Sequence, residues 1–311
     1  MAKKSKFESA LKSGHVQRGD DDRLQLKRLP FGIPNLDEAL GGGIPWGSSI
    51  LIVGPESTGK TILSQYAIAQ AQKTERPLVL YLDTERTYDR DWWESSGVDP
   101  EKLFVVRAPT GEEIIDIATD ALLDNEDIGM VVVDSLAGMP PSRIVAETAE
   151  RQDIGSLARL VQLLYIKLTS VLEGRILIAT NQLRENISGY AERYPGGQSQ
   201  KYFSHIILRT RREGWLTEGD SAKNRIGFNM EVQVTKNKTA PPQGTVKIPF
   251  RFNSQMDLVS ILIDEAIADG RIVQKLPYYQ IGDEKILGKE NLRRFVMENP
   301  DAIEGQEASD E

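Results

Sequence analysis

Three features of the 311-residue sequence predict an α/β fold: a mainly parallel sheet, an antiparallel extension and a small C-terminal α/β module. Short apolar runs alternate with amphipathic stretches as far as residue 180, the pattern of strand–helix–strand crossovers. GPESTGKT (54–61), a phosphate-loop pattern, sits between one such run and one such stretch. Beyond residue 203, three strand-like runs follow one another without a helix between them.

Taken in order, SILIVG (49–54) is a buried strand, and the stretch from Thr58 to about Gln72 is a helix. PLVLYLD (77–83) is the next strand, followed by DRDWWESSG. LFVV (103–106) precedes EEIIDIATDALLD (112–124), where Ile114, Ile115, Ile117, Ala118, Ala121 and Leu122 fall on one helical stripe. GMVVVDS (129–135) leads through a loop to DIGSLARLVQLLYIKLTSVLE (153–173), which is strongly helical. RILIAT (175–180) closes the parallel series. Then comes NQLRENISGYAERYPGGQSQKYF (181–203), a stretch without period; in a compact domain a segment of that length is expected to carry function. HIILRTRR (205–212), FNMEVQVTKNK (228–238) and TVKIPFRF (245–252) form the antiparallel extension. LVSILIDEAIADG (258–270) is a helix with a glycine stop; a strand pair and the helix NLRRFVMEN (291–299) follow. The expected division is a basic segment 1–29, a core 30–256, a C-terminal module 257–298 and an acidic tail 299–311.

Composition narrows the function classes. With no cysteine, disulfides and cysteine metal sites are excluded, and two histidines, His15 and His205, make a poor metal set. A reducing cytosol fits this usage. No apolar run approaches the ~18 residues of a membrane helix, and the start MAKKSKFESALKSG lacks the apolar core of a signal peptide. The net charge of −8 argues against nucleic-acid binding through a global field. Its distribution is uneven: residues 1–28 hold eight Lys/Arg against four acids, and 299–311 hold five acids and no base. Two solvated tails account for this, and so do a basic arm and an acidic tail that tune access to a polyanion.

The phosphate loop supplies the chemistry. Gly54 and Gly59 let backbone amides close around phosphates, and Pro55, Glu56, Ser57, Thr58 and Ile62 complete the turn. Lys60 reaches the β/γ oxygens of ATP, and the Thr61 hydroxyl binds Mg²⁺. Asp134, ending VVVD (131–134), is the second metal-side group. Glu85, in LYLDTE, lies just past a strand on the edge where α/β sheets bind ligands, and is the candidate to orient an attacking water. Gln182 follows the fifth strand and is suited to sensing a terminal phosphate.

The ordered set LDEALGGGIPWG (36–47), GPESTGKT, LDTE (82–85), GVDPEKL (97–103), VVVDSLAGMPP (131–141), NQLRE (181–185), PGGQSQKYF (195–203), TKNKTAPP (235–242) and GKENLRRFVMENP (288–300) resembles the RecA recombinase family over roughly residues 30–300. The lead-in is shared with RadA- and circadian-clock-type ATPases; PGGQSQKYF and KNKTAPP discriminate. The resemblance implies a RecA-like P-loop ATPase core that uses ATP and Mg²⁺. It further implies helical filaments on single-stranded DNA that pair with homologous duplex, and would place the chain alongside single-strand-binding and mediator proteins in the bacterial cytosol. Residues 1–29 would be an oligomerisation arm. Glu85 would polarise the attacking water and Gln182 would couple the γ-phosphate to a DNA loop at 183–201, with a second DNA loop at 142–155. Asp89 and Trp92 match adenine-contacting positions; the alternative is that Trp92 or Trp93 simply caps the sheet. Lys236 and Lys238 would act in trans on the neighbouring subunit's nucleotide, the logic of an arginine finger.

On the DNA side, Arg159, Arg184, Arg193 and Lys201 are candidate phosphate contacts, Gly196 and Gly197 permit close approach, and Ile187, Tyr190 or Tyr194 suit a wedge between bases. Departures from the family pattern are GKTI for GKTT, a shortened loop at 183–201, a short N-terminal segment and a reduced C-terminal module; such a compact form suits a bacteriophage recombinase. Two alternatives stay open on the residues: a RadA- or helicase-type ATPase that moves on DNA without pairing it, and an ATP-binding scaffold indifferent to DNA.

Overall fold

A computed structural model describes residues 6–14, 16–146, 155–183, 193–217, 224–242, 244–252 and 255–303. The chain begins with α1 (Lys6–Lys12); a two-stranded ribbon, β1 (Arg28–Leu29) with β2 (Ile44–Pro45), encloses α2 (Pro34–Ala39). The apolar runs then become strands and the amphipathic stretches helices. In order these are β3 (Ser49–Gly54), α3 (Lys60–Ala71), β4 (Leu78–Asp83), α4 (Arg90–Ser95), β5 (Leu103–Val106), α5 (Gly111–Asp124), β6 (Ile128–Asp134), α6 (Ser142–Ala146), α7 (Ser156–Ser170) and β7 (Ile176–Gln182). After α8 (Ser199–Phe203) come β8 (Ile206–Thr217), β9 (Arg225–Asn237), β10 (Thr245–Arg251) and β11 (Gln255–Met256).

These strands make one nine-stranded sheet in the order β11-β10-β9-β8-β3-β7-β6-β4-β5. Side chains alternate across it, so successive residues of each buried strand serve opposite layers. Ile50, Ile52, Tyr81, Val132 and Ile178 meet Leu63, Ala67 and Ile68 of α3 and Trp93 of α4. Leu51, Val53, Leu82, Val133 and Ala179 meet α5 and α7 through Ile114, Ile115, Leu160 and Leu164. Both faces are covered, which is why these strands read as unbroken apolar runs.

Three expectations need correction. The antiparallel extension starts one strand later than the sequence suggests, because β8 runs parallel to β3, with Ile206 opposite Ile50. The return is made beside the start of β3, where the His205 amide donates to the Ser49 carbonyl at 2.7 Å. On α5, Ile117 is 41% exposed, so the buried stripe excludes it. The C-terminal segment holds three strands rather than a pair: α9 (Leu258–Ala268), then β12 (Val273–Lys275), β13 (Tyr278–Ile281) and β14 (Glu284–Leu287), then α10 (Lys289–Glu298).

The C-terminal segment encloses its own apolar cluster, including Ile263, Ile272, Tyr279, Ile281, Leu292 and Val296. It is tied back by Asp257, whose carboxylate accepts from Arg251 of β10 at 2.5 Å and from Arg293 of α10 at 2.7 Å, and caps α9 through the Ser260 amide at 3.1 Å. Among the described residues no helix is long and apolar enough to cross a membrane.

Candidate nucleotide and DNA site

The carboxyl ends of β3, β4, β6 and β7 meet at one edge of the sheet, where open α/β folds bind ligands. There Glu56, Ser57, Thr58, Gly59, Lys60, Thr61, Ile62, Glu85, Asp134 and Gln182 line a single cavity of about 460 Å³. The helix expected from Thr58 starts at Lys60, because Gly59 stands in the left-handed region at φ +89° and ends the turn. A methyl group on Gly59 would lie 2.1 Å from Met230 of β9. The turn is braced by Thr58 Oγ1, which lies 2.7 Å from the Thr210 hydroxyl of β8. Lys60 Nζ donates to the carbonyls of Gly54 at 3.2 Å and Pro55 at 2.6 Å. Burial lowers its pKa, opposed by the charges of Asp134, Glu85 and Glu56.

Asp134 is the hub. Its carboxylate accepts hydroxyl protons from Thr61 at 2.7 Å, Tyr81 at 3.1 Å and Thr180 at 2.5 Å. Burial, together with the neighbouring carboxylates, pushes the Tyr81 phenol far above its usual pKa, so it remains a donor. Glu85 accepts from the Ser135 hydroxyl at 2.5 Å, and Thr84 donates to the Ser135 carbonyl at 2.7 Å. The turn carrying Glu85 is shaped by Asp83, buried at the end of β4. Asp83 accepts from the Thr87 and Tyr88 amides and pairs with Arg107 at 2.6 Å.

Gln182 ends β7, its amide held at 2.9 Å by the side chain of Asn181. Asn181 Nδ2 donates to the Pro195 carbonyl at 2.8 Å and to Gln200 Oε1 at 2.7 Å; Gln200 Nε2 donates to the carbonyls of Pro195 and Gly197, both at 2.7 Å. Sequence reasoning passed over Tyr81, Thr180, Ser135, Asn181 and Gln200. The signal for the first two is a lone polar side chain inside an apolar strand, which must find a partner when buried.

Asp89 and Trp92 stand apart from this cavity's lining. Asp89 caps α4 by accepting from the Trp92 amide at 2.9 Å, and the Trp92 ring, 39% exposed, lies edge-on to Phe250 at 6.3 Å. The sheet cap is Trp93, wedged between Tyr81 and Tyr88 at 4.4 and 5.2 Å.

Beside the site, a second cavity of about 450 Å³ is lined by Ala137, Gly155, Ala158, Arg193, Tyr194 and Gly196, among others. Lys201 Nζ sits 3.9 Å from the centre of the Tyr194 ring, and Arg159 is exposed on the first turns of α7. The glycine pair differs from expectation: a methyl on Gly196 would lie 2.6 Å from Val161, so the close approach it permits is to α7. Arg184, Ile187 and Tyr190, and residues 147–154 of the other expected loop, lie outside the described residues.

Lys236 and Lys238 are brought together with neither cavity. Lys236 pairs with Ile207, its amine donating to the Lys201 carbonyl at 2.5 Å, and the Lys238 amide donates to the His205 carbonyl at 3.0 Å. These contacts lie at the Ser49 end of β3, about 17 Å along the strand from Gly54 by the usual rise per residue. Burial and the neighbouring Lys238 charge lower the Lys236 pKa.

A phosphate loop braced by a doubly wound sheet, with an aspartate aimed at the loop's threonine, defines the class of P-loop nucleotide-binding proteins. Within that class, residues 4–257 match the RecA N-terminal domain family. The chain is 35% identical over 305 residues to Protein RecA of Acidothermus cellulolyticus, covering 96% of this chain and 87% of that one. It is 35% identical to Protein RecA of Saccharopolyspora erythraea (93% and 84% covered) and 31% identical to that of Acholeplasma laidlawii (94% and 89%). The chain belongs to the RecA family. It is a DNA recombinase of repair, a DNA-dependent ATPase with strand-exchange activity that binds nucleotide and single-stranded DNA and forms filaments.

Proposed function

We propose that the cavity around Lys60 takes ATP with Mg²⁺ and that its residues divide the work of hydrolysis. The observation that carries this is the convergence of Lys60, Thr61, Glu85, Asp134 and Gln182 on one 460 Å³ cavity at the carboxyl edge of the sheet. Backbone amides of the 54–61 turn and the start of α3 cradle the phosphates. Lys60 exchanges the Gly54 and Pro55 carbonyls for phosphate oxygens. The donors meeting beside it, a threonine hydroxyl and a carboxylate, are the hard oxygens that Mg²⁺ takes, with Asp134 reaching the ion through water. Bound Mg²⁺ neutralises charge developing on the phosphates. Glu85, oriented by Ser135, holds the attacking water in line, while Gln182 reads the terminal phosphate. Asp89 and Trp92 contact adenine.

Lys236 and Lys238 face away from their own nucleotide and serve that of the next subunit in the filament. Arg159, Arg193, Tyr194, Gly197 and Lys201, with Arg184, Ile187 and Tyr190, meet single-stranded DNA, and homologous duplex pairs along it. The chain divides into an arm 1–29, a core 30–256, a module 257–298 and an acidic tail 299–311. It works in the bacterial cytosol with single-strand-binding and mediator proteins. The test compares Lys60→Ala with Lys238→Ala. Binding of a fluorescent ATP analogue is lost in the first and kept in the second, and both lose DNA-stimulated hydrolysis. Equal loss of binding in both refutes the trans assignment.

A further inference from the structure

Two fully buried amide side chains, neither part of the hydrolytic set, stand between the nucleotide cavity and the DNA-facing segment. Asn181 and Gln200 have no exposed surface, yet the hydrogen-bonding groups of both are in use. Asn181 Oδ1 accepts from the Gln182 amide; its two protons go to the Pro195 carbonyl and to Gln200 Oε1. Both Gln200 protons go to the carbonyls of Pro195 and Gly197. The Pro195 carbonyl therefore takes one proton from each amide; three of the five bonds close a ring and the other two tie it to Gln182 and Gly197, all between 2.7 and 2.9 Å.

Such a closed set has a mechanical consequence. A buried amide that loses a partner in the dry interior has no water to replace it, so the set breaks as a whole or moves as a whole. One end is the backbone of Gln182 in the nucleotide cavity. The other is the Pro195–Gly197 turn, which follows Arg193 and Tyr194 along the second cavity, and α8, which carries Lys201. The position of Gln182 is thereby registered to that of the DNA-facing segment through side chains.

We propose that Asn181 and Gln200 act together as a positioning pair that couples the nucleotide site to the DNA segment, so that DNA held at residues 193–201 sets Gln182 for hydrolysis. Neither side chain touches nucleotide or DNA in this role. The proposal rests on the reading that Gln182 faces the terminal phosphate and that 193–201 meets DNA.

The test uses the full chain with ATP, with and without single-stranded DNA. Variants are Gln200→Leu, Gln200→Glu, which keeps the acceptor but loses both donors, Asn181→Leu, the Asn181→Leu/Gln200→Leu double and Gln182→Ala. ATP-analogue affinity and DNA-free hydrolysis stay within twofold of wild type in the pair variants. The DNA-stimulated increment falls at least tenfold in each single variant, and no further in the double, the non-additivity of groups that act as one. Loss of basal and stimulated rates in equal proportion, or losses that multiply in the double, overturns the pair and returns these amides to a packing role. Gln200→Glu decides if the leucine variants do not fold, because it alters donors without altering volume. Gln182→Ala separates the two levels. If it retains stimulation, the sensor reading fails; if it loses stimulation while Gln200→Leu and Gln200→Glu retain it, only the pair fails.

Discussion

Glu85 shows how much a single carboxylate depends on its neighbours. The Ser135 hydroxyl donates to one of its oxygens, which orients the group without neutralising it, and the Asp83–Arg107 pair fixes the turn that presents it. On the proposed reading, Glu85→Gln keeps the shape and removes the base character. Nucleotide affinity stays near wild type while the hydrolytic rate falls about 10²–10⁴-fold, the usual range for a positioned base; single-turnover kinetics check this. Gly196 makes a different kind of claim. Its φ of +77° already favours glycine, and an added methyl meets a stiff valine on α7. Gly196→Ala should destabilise by about 1–3 kcal/mol, more than Gly244→Ala, where φ is +67° and no atom lies within 4 Å of the new methyl. Comparing urea midpoints tests whether the neighbour or the dihedral dominates. Gly54, Lys60, Thr61 and Asp134 were legible as a chemical set because their roles require fixed types at fixed spacings. Tyr81 and Thr180 were not, since a hydroxyl's partner is chosen by cross-strand register, which local sequence does not encode.

At the scale of elements, the strands were the easiest part to read, because parallel strands covered on both faces leave an unbroken apolar record in β3, β4, β6 and β7. The direction of β8 was harder: its own residues are the same whether it pairs parallel or antiparallel, and only the return of the chain past Ser49 decides. The small third strand of the C-terminal sheet was missed for a related reason, as the four residues of β14, three of them exposed, carry little periodic signal. The join between that module and the core is a polar one, and it yields a pH prediction. Burial alone would raise the Asp257 pKa, but hydrogen bonds from Arg251, Arg293 and the Ser260 amide outweigh it and hold the group below its ordinary value of 3.8. A carboxylate with a depressed folded pKa contributes stability above its unfolded pKa and loses it as pH falls through the folded one. Asp257→Asn leaves two guanidinium groups facing a neutral amide and should cost about 3–5 kcal/mol at neutral pH. The gap to wild type should hold on acidification until pH 3.8 and close below it, as read from urea unfolding across that range. A gap that narrows already between pH 7 and 5 assigns the effect to some other group.

For the whole molecule, the decisive fact is that the phosphate loop and the lysine pair occupy opposite ends of the same sheet. Lys60 opens α3 after the carboxyl end of β3, while Lys236 and Lys238 sit where β9 passes the amino end of that strand. One rigid sheet cannot bring both to a single phosphate; on the proposed reading the two ends meet where copies stack head to tail. A contact of that kind joins unlike surfaces and, without ring closure, propagates as a filament. Sharing a site across such a contact is testable by complementation. Glu85→Gln keeps intact lysines, and Lys238→Ala keeps an intact cavity, so each variant alone has no complete interface. Mixed in equal amounts, with random order along the DNA, about a quarter of contacts would pair a sound cavity with a sound lysine. DNA-stimulated hydrolysis in the mixture should therefore recover to about that fraction of wild type. A rate no higher than the mean of the two variants measured separately means that Lys238 does not act across subunits, whatever it contributes within its own.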